Sequence, residues 1–271
     1  MLKEPMLHDE LVTEPLSRQE ESRPMRIAAI GDLHCTKESA GVLRNVLAHV
    51  ETHADVLLLC GDLTDYGTVD EAHVLVRELS IVKHPIIAVL GNHDYESGHA
   101  DRVTQVLAEG GVRVLDGDSH TIGDVGFAGV KGFCGGFGRA TLGPWGETAV
   151  KAFVKEALDE ALKLESALAR LRTARRVALL HYSPIRDTVR GEPEEIFAFL
   201  GCSRLEEPLE RYPVTAIFHG HAHRGSLAGK TRMGTPVYNV ALPLLRRHFG
   251  PDLPLRIVEL PGATTTDDDV L

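Results

Sequence analysis

The hydrophobic positions of this chain fall into short runs that stop abruptly. "MRIAAI" gives way to "GDLH", "DVLLLC" to "GDLTD", "PIIAVL" to "GNHD", "RVALL" to "HYSP" and "VTAIF" to "HGHAH". Short continuous apolar runs bounded by Gly and polar residues predict strands buried on both faces. Between the first three runs the period changes. In "ESAGVLRNVLAHVETH" and "VDEAHVLVRELSIV" apolar residues recur about three and four positions apart, which predicts amphipathic helices. Strand, helix, strand, helix, strand implies parallel strands joined by right-handed crossovers. The carboxyl ends of such strands gather on one edge of the sheet, where α/β proteins place their sites.

Farther along, "VTQVLAEGGVRVLDG" predicts a helix leading to a short strand, and "HTIGDVGFAGVKGF" a strand pair joined through Gly123 to Gly126. "VYNVALPLL" and "LRIVEL" predict further strands. The expected architecture is therefore α/β, with a second sheet built largely from the C-terminal half and packed on the first. The longest helix expected is "GETAVKAFVKEALDEALKLESALARLR", where Val154, Ala157, Ala161, Leu164, Leu168 and Leu171 keep alternating three- and four-residue spacing. Two readings stay open for that stripe. It packs on the sheet, or it forms a helix–helix seam and makes the protein a homodimer through residues 147–172.

Composition narrows the function. With 43% hydrophobic and 25% charged residues the chain is ordinary for a globular protein, and its net charge of -10 opposes nucleic-acid backbones and anionic membranes. No apolar run approaches the roughly 20 residues that span a bilayer. The widely separated cysteines Cys35, Cys60, Cys134 and Cys202 fit free thiols in a reducing cytoplasm. Residues 1–24 read as a disordered acidic lead and 261–271 as a disordered tail, leaving 25–260 as one domain.

Five strand ends, distant in sequence, each carry side chains competent to bind metal: Asp32 and His34; Asp62; Asn92, His93 and Asp94; His181; His221 and His223. Carboxylates, imidazoles and one amide, without a thiolate set, suit Mn, Fe, Ni, Co or Zn, and suit Mg or Ca poorly. So many donors exceed what one tetrahedral ion requires, and two neighbouring ions would use them. His219 reads as a packing residue. Arg139, Trp145, Tyr182, Arg186, Arg190 and Arg224 are weaker candidates for substrate contact.

In this order, "GDLH", "GDLTD", "GNHD", a His after an apolar strand, and "GHAH" resemble the calcineurin-like metallophosphoesterases over about residues 25 to 245. The resemblance implies a two-sheet sandwich flanked by helices. It implies two divalent or mixed-valence transition metal ions, one held by Asp32, His34 and His223, the other by Asn92, His181 and His221, with Asp62 bridging. His93 would face the scissile phosphate, its ring oriented by Asp94, and a hydroxide bridging the metals would be the nucleophile. The function expected is hydrolysis of a small or nucleotide-like phosphodiester. A phosphomonoesterase acting on protein or small molecules, and a non-catalytic binding module on the same fold, are the alternatives.

Overall fold

In the computed structural model, which describes residues 23–251 and 254–262, the first apolar runs form one sheet. β1 (Met25–Ile30), β2 (Val56–Cys60), β3 (Ile86–Val89) and β4 (Val112–Val114) lie side by side and parallel. The crossovers contain α1 (Arg44–His53), α2 (Val69–Leu79) and α3 (Ala100–Glu109). Every residue of β2 and β3 is buried, as unbroken apolar runs require. α2 begins on a capping box. Thr68 Oγ accepts from Glu71 N, while the Glu71 carboxylate accepts from Thr68 N at 3.0 Å, an arrangement worth on the order of 1 kcal/mol.

The second sheet has the order β5-β6-β7-β8-β10-β9. Its members are β5 (Asp118–Ile122), β6 (Val125–Gly129), β7 (Arg175–Leu179), β8 (Ala216–His219), β9 (Ala228–Lys230) and β10 (Pro236–Asn239). β6, β7, β8 and β10 are parallel, so their carboxyl ends also share one edge. Strand alternation divides the core in two. Phe127, Val177, Leu179 and Phe218 pack with Ile27, Leu58 and Ile87 between the sheets. Ala128, Ala178 and Ile217 face the other way, toward Leu164, Ala167 and Leu168 of α4 (Thr148–Arg170).

That last contact accounts for the apolar stripe of the long helix. Val154, Ala157, Leu164, Leu168 and Leu171 are buried within this one chain, so the stripe lies on its own sheet and those side chains are not free to form an intermolecular seam. Two other expectations change. "VYNVALPLL" is a strand only as far as Asn239; it continues as α7 (Leu242–Phe249), since proline is tolerated in a helix's first turn. "LRIVEL" forms β11 (Arg256–Leu260), which pairs antiparallel with β1 and so edges the first sheet, not the second. Two short helices, α5 (Phe197–Leu200) and α6 (Glu206–Arg211), lie in the β7–β8 connection.

The four cysteines are buried and free. Among the described residues no helix is long and apolar enough to cross a membrane. Most of the expected lead and tail, residues 1–22 and 263–271, lies outside the described residues.

Candidate metal centre

The chain leaves β1 and β2 through matching tight turns. Asp32 N donates to Gly61 O at 2.9 Å, His34 N to Asp62 O at 3.0 Å and Cys35 N to Leu63 O at 3.0 Å, which fastens the two strand ends together. Here the backbone adopts conformations that side chains rarely tolerate. Among the described residues, the non-glycine residues with positive φ are Asp32 (55°), His34 (43°), Asp62 (47°) and His221 (68°). All four belong to the expected ligand set. Each such residue costs about 1–3 kcal/mol, so the surrounding bonds must hold it there.

The fold brings the candidate ligands into two neighbouring groups. Asp32, His34 and His223 offer donor atoms within 4.8 Å of one another, as do Asp62, His181 and His221. Asp62 lies between the groups: its Oδ1 is 3.3 Å from His181 Nε2 and its Oδ2 is 3.8 Å from His34 Nε2. Asn92 joins the second group, its Oδ1 being 3.0 Å from His181 Nε2. Asp32 Oδ1 is 2.9 Å from His223 Nε2, and both Asp32 oxygens accept from His221 N.

For three of the four ligand imidazoles the nitrogen that turns away is fixed by a hydrogen bond. His181 Nδ1 donates to Cys60 O at 3.0 Å, leaving Nε2 toward Asp62 and Asn92. His221 Nε2 donates to Phe199 O at 3.1 Å, leaving Nδ1. His34 Nδ1 lies 3.1 Å from Asp65 Oδ1, and its Nε2 is buried without a hydrogen-bond partner. Such partners fix the tautomer and aim the free lone pair. A buried nitrogen with no partner, facing a shared carboxylate, fits a cation that both would ligate. The donor set of nitrogen and oxygen fits a pair of first-row transition ions.

Electrostatics agree. Burial pushes the Asp62 carboxyl up, but His181 and the amide of His93 outweigh it and hold the group well below its usual range. Burial likewise lowers His181, yet Asp62 beside it prevails and raises the imidazole to about 9. The pair thus keeps a proton where a cation would sit. His221, whose ring bonds a carbonyl and not a carboxylate, is lowered to about 4 by burial and by the neighbouring His181, which outweigh Asp32 and Asp62.

Asp94 does not orient His93. Its fully buried carboxylate accepts from Thr64 N at 2.8 Å, Thr64 Oγ1 at 2.6 Å, Gly91 N at 2.8 Å and Leu63 N at 3.1 Å. Burial raises its pKa. His93 Nδ1 instead donates to Asp65 O at 2.8 Å. Sequence reading passed over Asp65; the signal available was a second carboxylate three residues beyond Asp62 in "GDLTD".

His219 is a packing residue. It is fully buried, its Nδ1 bonded to Gly220 O and its Nε2 to Thr188 Oγ1, both at 2.8 Å. Burial lowers it to about 4, so it stays neutral and ties β8 to the β7–β8 connection. Tyr182 stacks near the ligands, its ring 4.5 Å from that of His221. Arg186 and Arg190 pair with Glu194 and Asp187, while Arg224 N donates to Glu192. Arg139 and Trp145 are exposed on the Gly-rich loop. That loop bonds through Gly135 N and Gly136 N to Ala198 O and Gly201 O, flanking Phe199.

From residue 25 to residue 225 the sequence matches the profile of the calcineurin-like phosphoesterase family. The chain belongs to this family. This phosphoesterase gave no match among curated proteins. Among solved structures it resembles phosphopantetheinyl hydrolase from Mycobacterium tuberculosis, with 18% identity, a TM-score of 0.62, and 86% of this chain and 95% of that one covered. It also resembles GAP50, the anchor in the inner membrane complex of Plasmodium, with 12% identity, a TM-score of 0.52, and 82% and 72% covered. At these identities the likeness is one of fold. A hydrolase and an anchor share it, so the chemistry must be argued from the side chains.

Proposed function

We propose that this phosphoesterase hydrolyses phosphodiesters of small or nucleotide-like molecules on a pair of divalent metal ions. Asp32, His34 and His223 would hold one ion, Asn92, His181 and His221 the other, and Asp62 both. When bound, the ions supply neutralisation of the phosphoryl oxygens and acidification of a water that attacks phosphorus.

The observation that carries the reading is the placement of His93. Its ring stands edge-on to His34, centroids 4.5 Å apart, yet its side chain is 40% exposed and its Nδ1 is already bonded to Asp65 O. Nε2 is therefore the nitrogen available to a substrate. Protonated, His93 keeps one N–H on the Asp65 carbonyl and presents the other to the leaving oxygen, as acid or charge stabiliser. A binding module would have no use for an exposed imidazole so fixed beside a complete ligand set.

The choice of a diester over a monoester rests on analogy with the family, and the assay decides it. The test is hydrolysis of bis(4-nitrophenyl) phosphate and 4-nitrophenyl phosphate by Mn-loaded protein, with Asp62→Ala as blank. We expect metal-dependent turnover favouring the diester at least tenfold in kcat/KM. A preference for the monoester would overturn the diester reading, and turnover of neither by protein carrying two ions would count against the hydrolase itself.

A further inference from the structure

Three donor-bearing side chains meet beside the His181–His221 group with hydrogen-bonding capacity to spare. Lys131 follows β6, Tyr182 follows the ligand His181, and Tyr95 ends the 3-10 turn that His93 opens. The Lys131 carbonyl accepts from His181 N at 3.0 Å and from Tyr182 N at 3.1 Å, which fastens the two strand ends together. Its Nζ lies 5.5 Å from the centre of the Tyr182 ring, 5.7 Å from that of Tyr95 and 4.9 Å from that of Phe133. The Tyr182 ring in turn is 4.5 Å from the ring of His221 and 5.4 Å from that of His181.

The ammonium is under-used. Its side chain is 11% exposed, yet of its three N–H donors one alone has an acceptor within hydrogen-bond distance, Gly132 O at 2.7 Å. The Glu160 carboxylate stands 4.0 Å away and is already engaged by Gly132 N at 2.8 Å and Lys163 Nζ at 2.7 Å. The ring faces attract the charge but do not replace hydrogen-bond acceptors. Among the described residues neither the Tyr95 nor the Tyr182 hydroxyl has a hydrogen-bond partner. A nearly buried ammonium with donors left over, flanked by two phenols free to donate, suits an oxyanion. We propose that Lys131, Tyr95 and Tyr182 form an anion subsite beside the metal groups, and that the substrate is a phosphoester carrying a further carboxylate or phosphate that docks there. That the anion belongs to a substrate rests on the function proposed above; the subsite itself does not.

The surroundings limit what enters. Tyr95 and Lys131 line a cavity of about 440 Å³ together with Thr104, Asp101, Asp116 and Asp118. Two of these acids are paired, Asp116 with Lys163 at 3.0 Å and Asp118 with Arg170 at 3.9 Å. Asp101 still opposes a ligand whose negative charge is spread along its length. The fit is to a compact second anion on an otherwise uncharged body.

The test compares two phosphonates, neither of which can be hydrolysed as an ester. Methylphosphonate engages the metal pair alone, whereas 6-phosphonohexanoate adds a carboxylate on a flexible chain. Calorimetric titration of the Mn-loaded full chain should show the second binding about tenfold more tightly, the gain expected of a charge-assisted hydrogen bond. Lys131→Met, which keeps the length and apolar bulk of the side chain, should abolish that gain and leave methylphosphonate affinity within about twofold. Tyr182→Phe and Tyr95→Phe keep the rings and the packing, and each should remove about threefold of the gain. Equal affinities of the two phosphonates for the parent, or a difference that survives Lys131→Met, would overturn the subsite. A second equivalent of methylphosphonate, bound by the parent and lost in Lys131→Met, would overturn the reading that one substrate fills both places. Failure of the phosphodiester assay with the difference intact would count against the reaction and not against the subsite.

Discussion

Asp94→Asn separates two accounts of the Asp beside His93. The substitution keeps size and shape but exchanges one acceptor oxygen for an NH2 donor. Each carboxylate oxygen accepts two protons: one from Thr64 N and Thr64 Oγ1, the other from Gly91 N and Leu63 N. The less damaging orientation of Asn turns NH2 toward Thr64, whose hydroxyl can rotate to accept. The Thr64 N–H then has no acceptor, at about 1–3 kcal/mol, and bonds to a charged acceptor weaken to ordinary ones. Relief of the buried charge offsets part of this. The net loss is about 2–4 kcal/mol, or about 4–16 °C in Tm at about 2–4 °C per kcal/mol for a chain of this size. The assay is thermal melting of chelator-treated protein, so that metal binding adds nothing to either side. A variant that melts with the parent but has lost turnover, its acid limb displaced in the pH profile, would refute the reasoning and return Asp94 to the ring of His93.

Metal binding should release protons. His181 titrates near 9 in the metal-free site because of Asp62, whereas a ligating imidazole must be neutral. Below about pH 9 that pair should expel one proton when the ion held by His181 is taken up, and apparent affinity at that site should weaken about tenfold for each unit of pH lost; titration calorimetry at pH 7 in buffers of differing ionisation enthalpy measures it, and equal heats in all buffers would contradict it. Gly91→Ala should displace the shared carboxylate, since a Cβ there would lie 2.2 Å from Asp62 N and Oδ1 and 2.8 Å from His181 Cε1. Metal analysis after dialysis should show at least a tenfold loss of affinity, while a fully loaded variant would mean that the turn has slack the structure does not show.

The strand ends were legible because their physics is local. An apolar run buried on both faces must end where polar side chains begin, and parallel order follows from the helices between. Asp94 was misassigned for a local reason too. It lies in the 3-10 turn His93–Tyr95, where successive side chains diverge by about a third of a turn. Adjacency in sequence therefore sent Asp94 and His93 in different directions, one into the core and the other to the site. α7 departs from expectation because the strand expected in "VYNVALPLL" runs straight through Pro243, a residue that a strand interior disfavours and that opens a helix here. The partner of β11 is a long-range choice between two sheet edges, and nothing in "LRIVEL" marks which edge is available.

What the side chains alone do not encode is which nitrogen each histidine presents. Cys60 O settles it for His181, Phe199 O for His221 and Asp65 for His34, and two of those acceptors are backbone carbonyls that any residue type would supply. Phe199 comes from the connection that also carries Thr188, held to β8 by His219. The tautomer of a ligand on one strand is thus fixed by the path of a distant loop, and the loop by a histidine that touches no metal group. The same logic explains the four residues at positive φ. Their strain is borne by bonds between strand ends, such as His34 N to Asp62 O, that exist only after β1 and β2 have paired. The ligand list is thus a property of the sequence, whereas the ligating atoms are a property of the assembled fold. For that reason a substitution at Asp94, outside the metal groups, tests the site as directly as removal of a ligand.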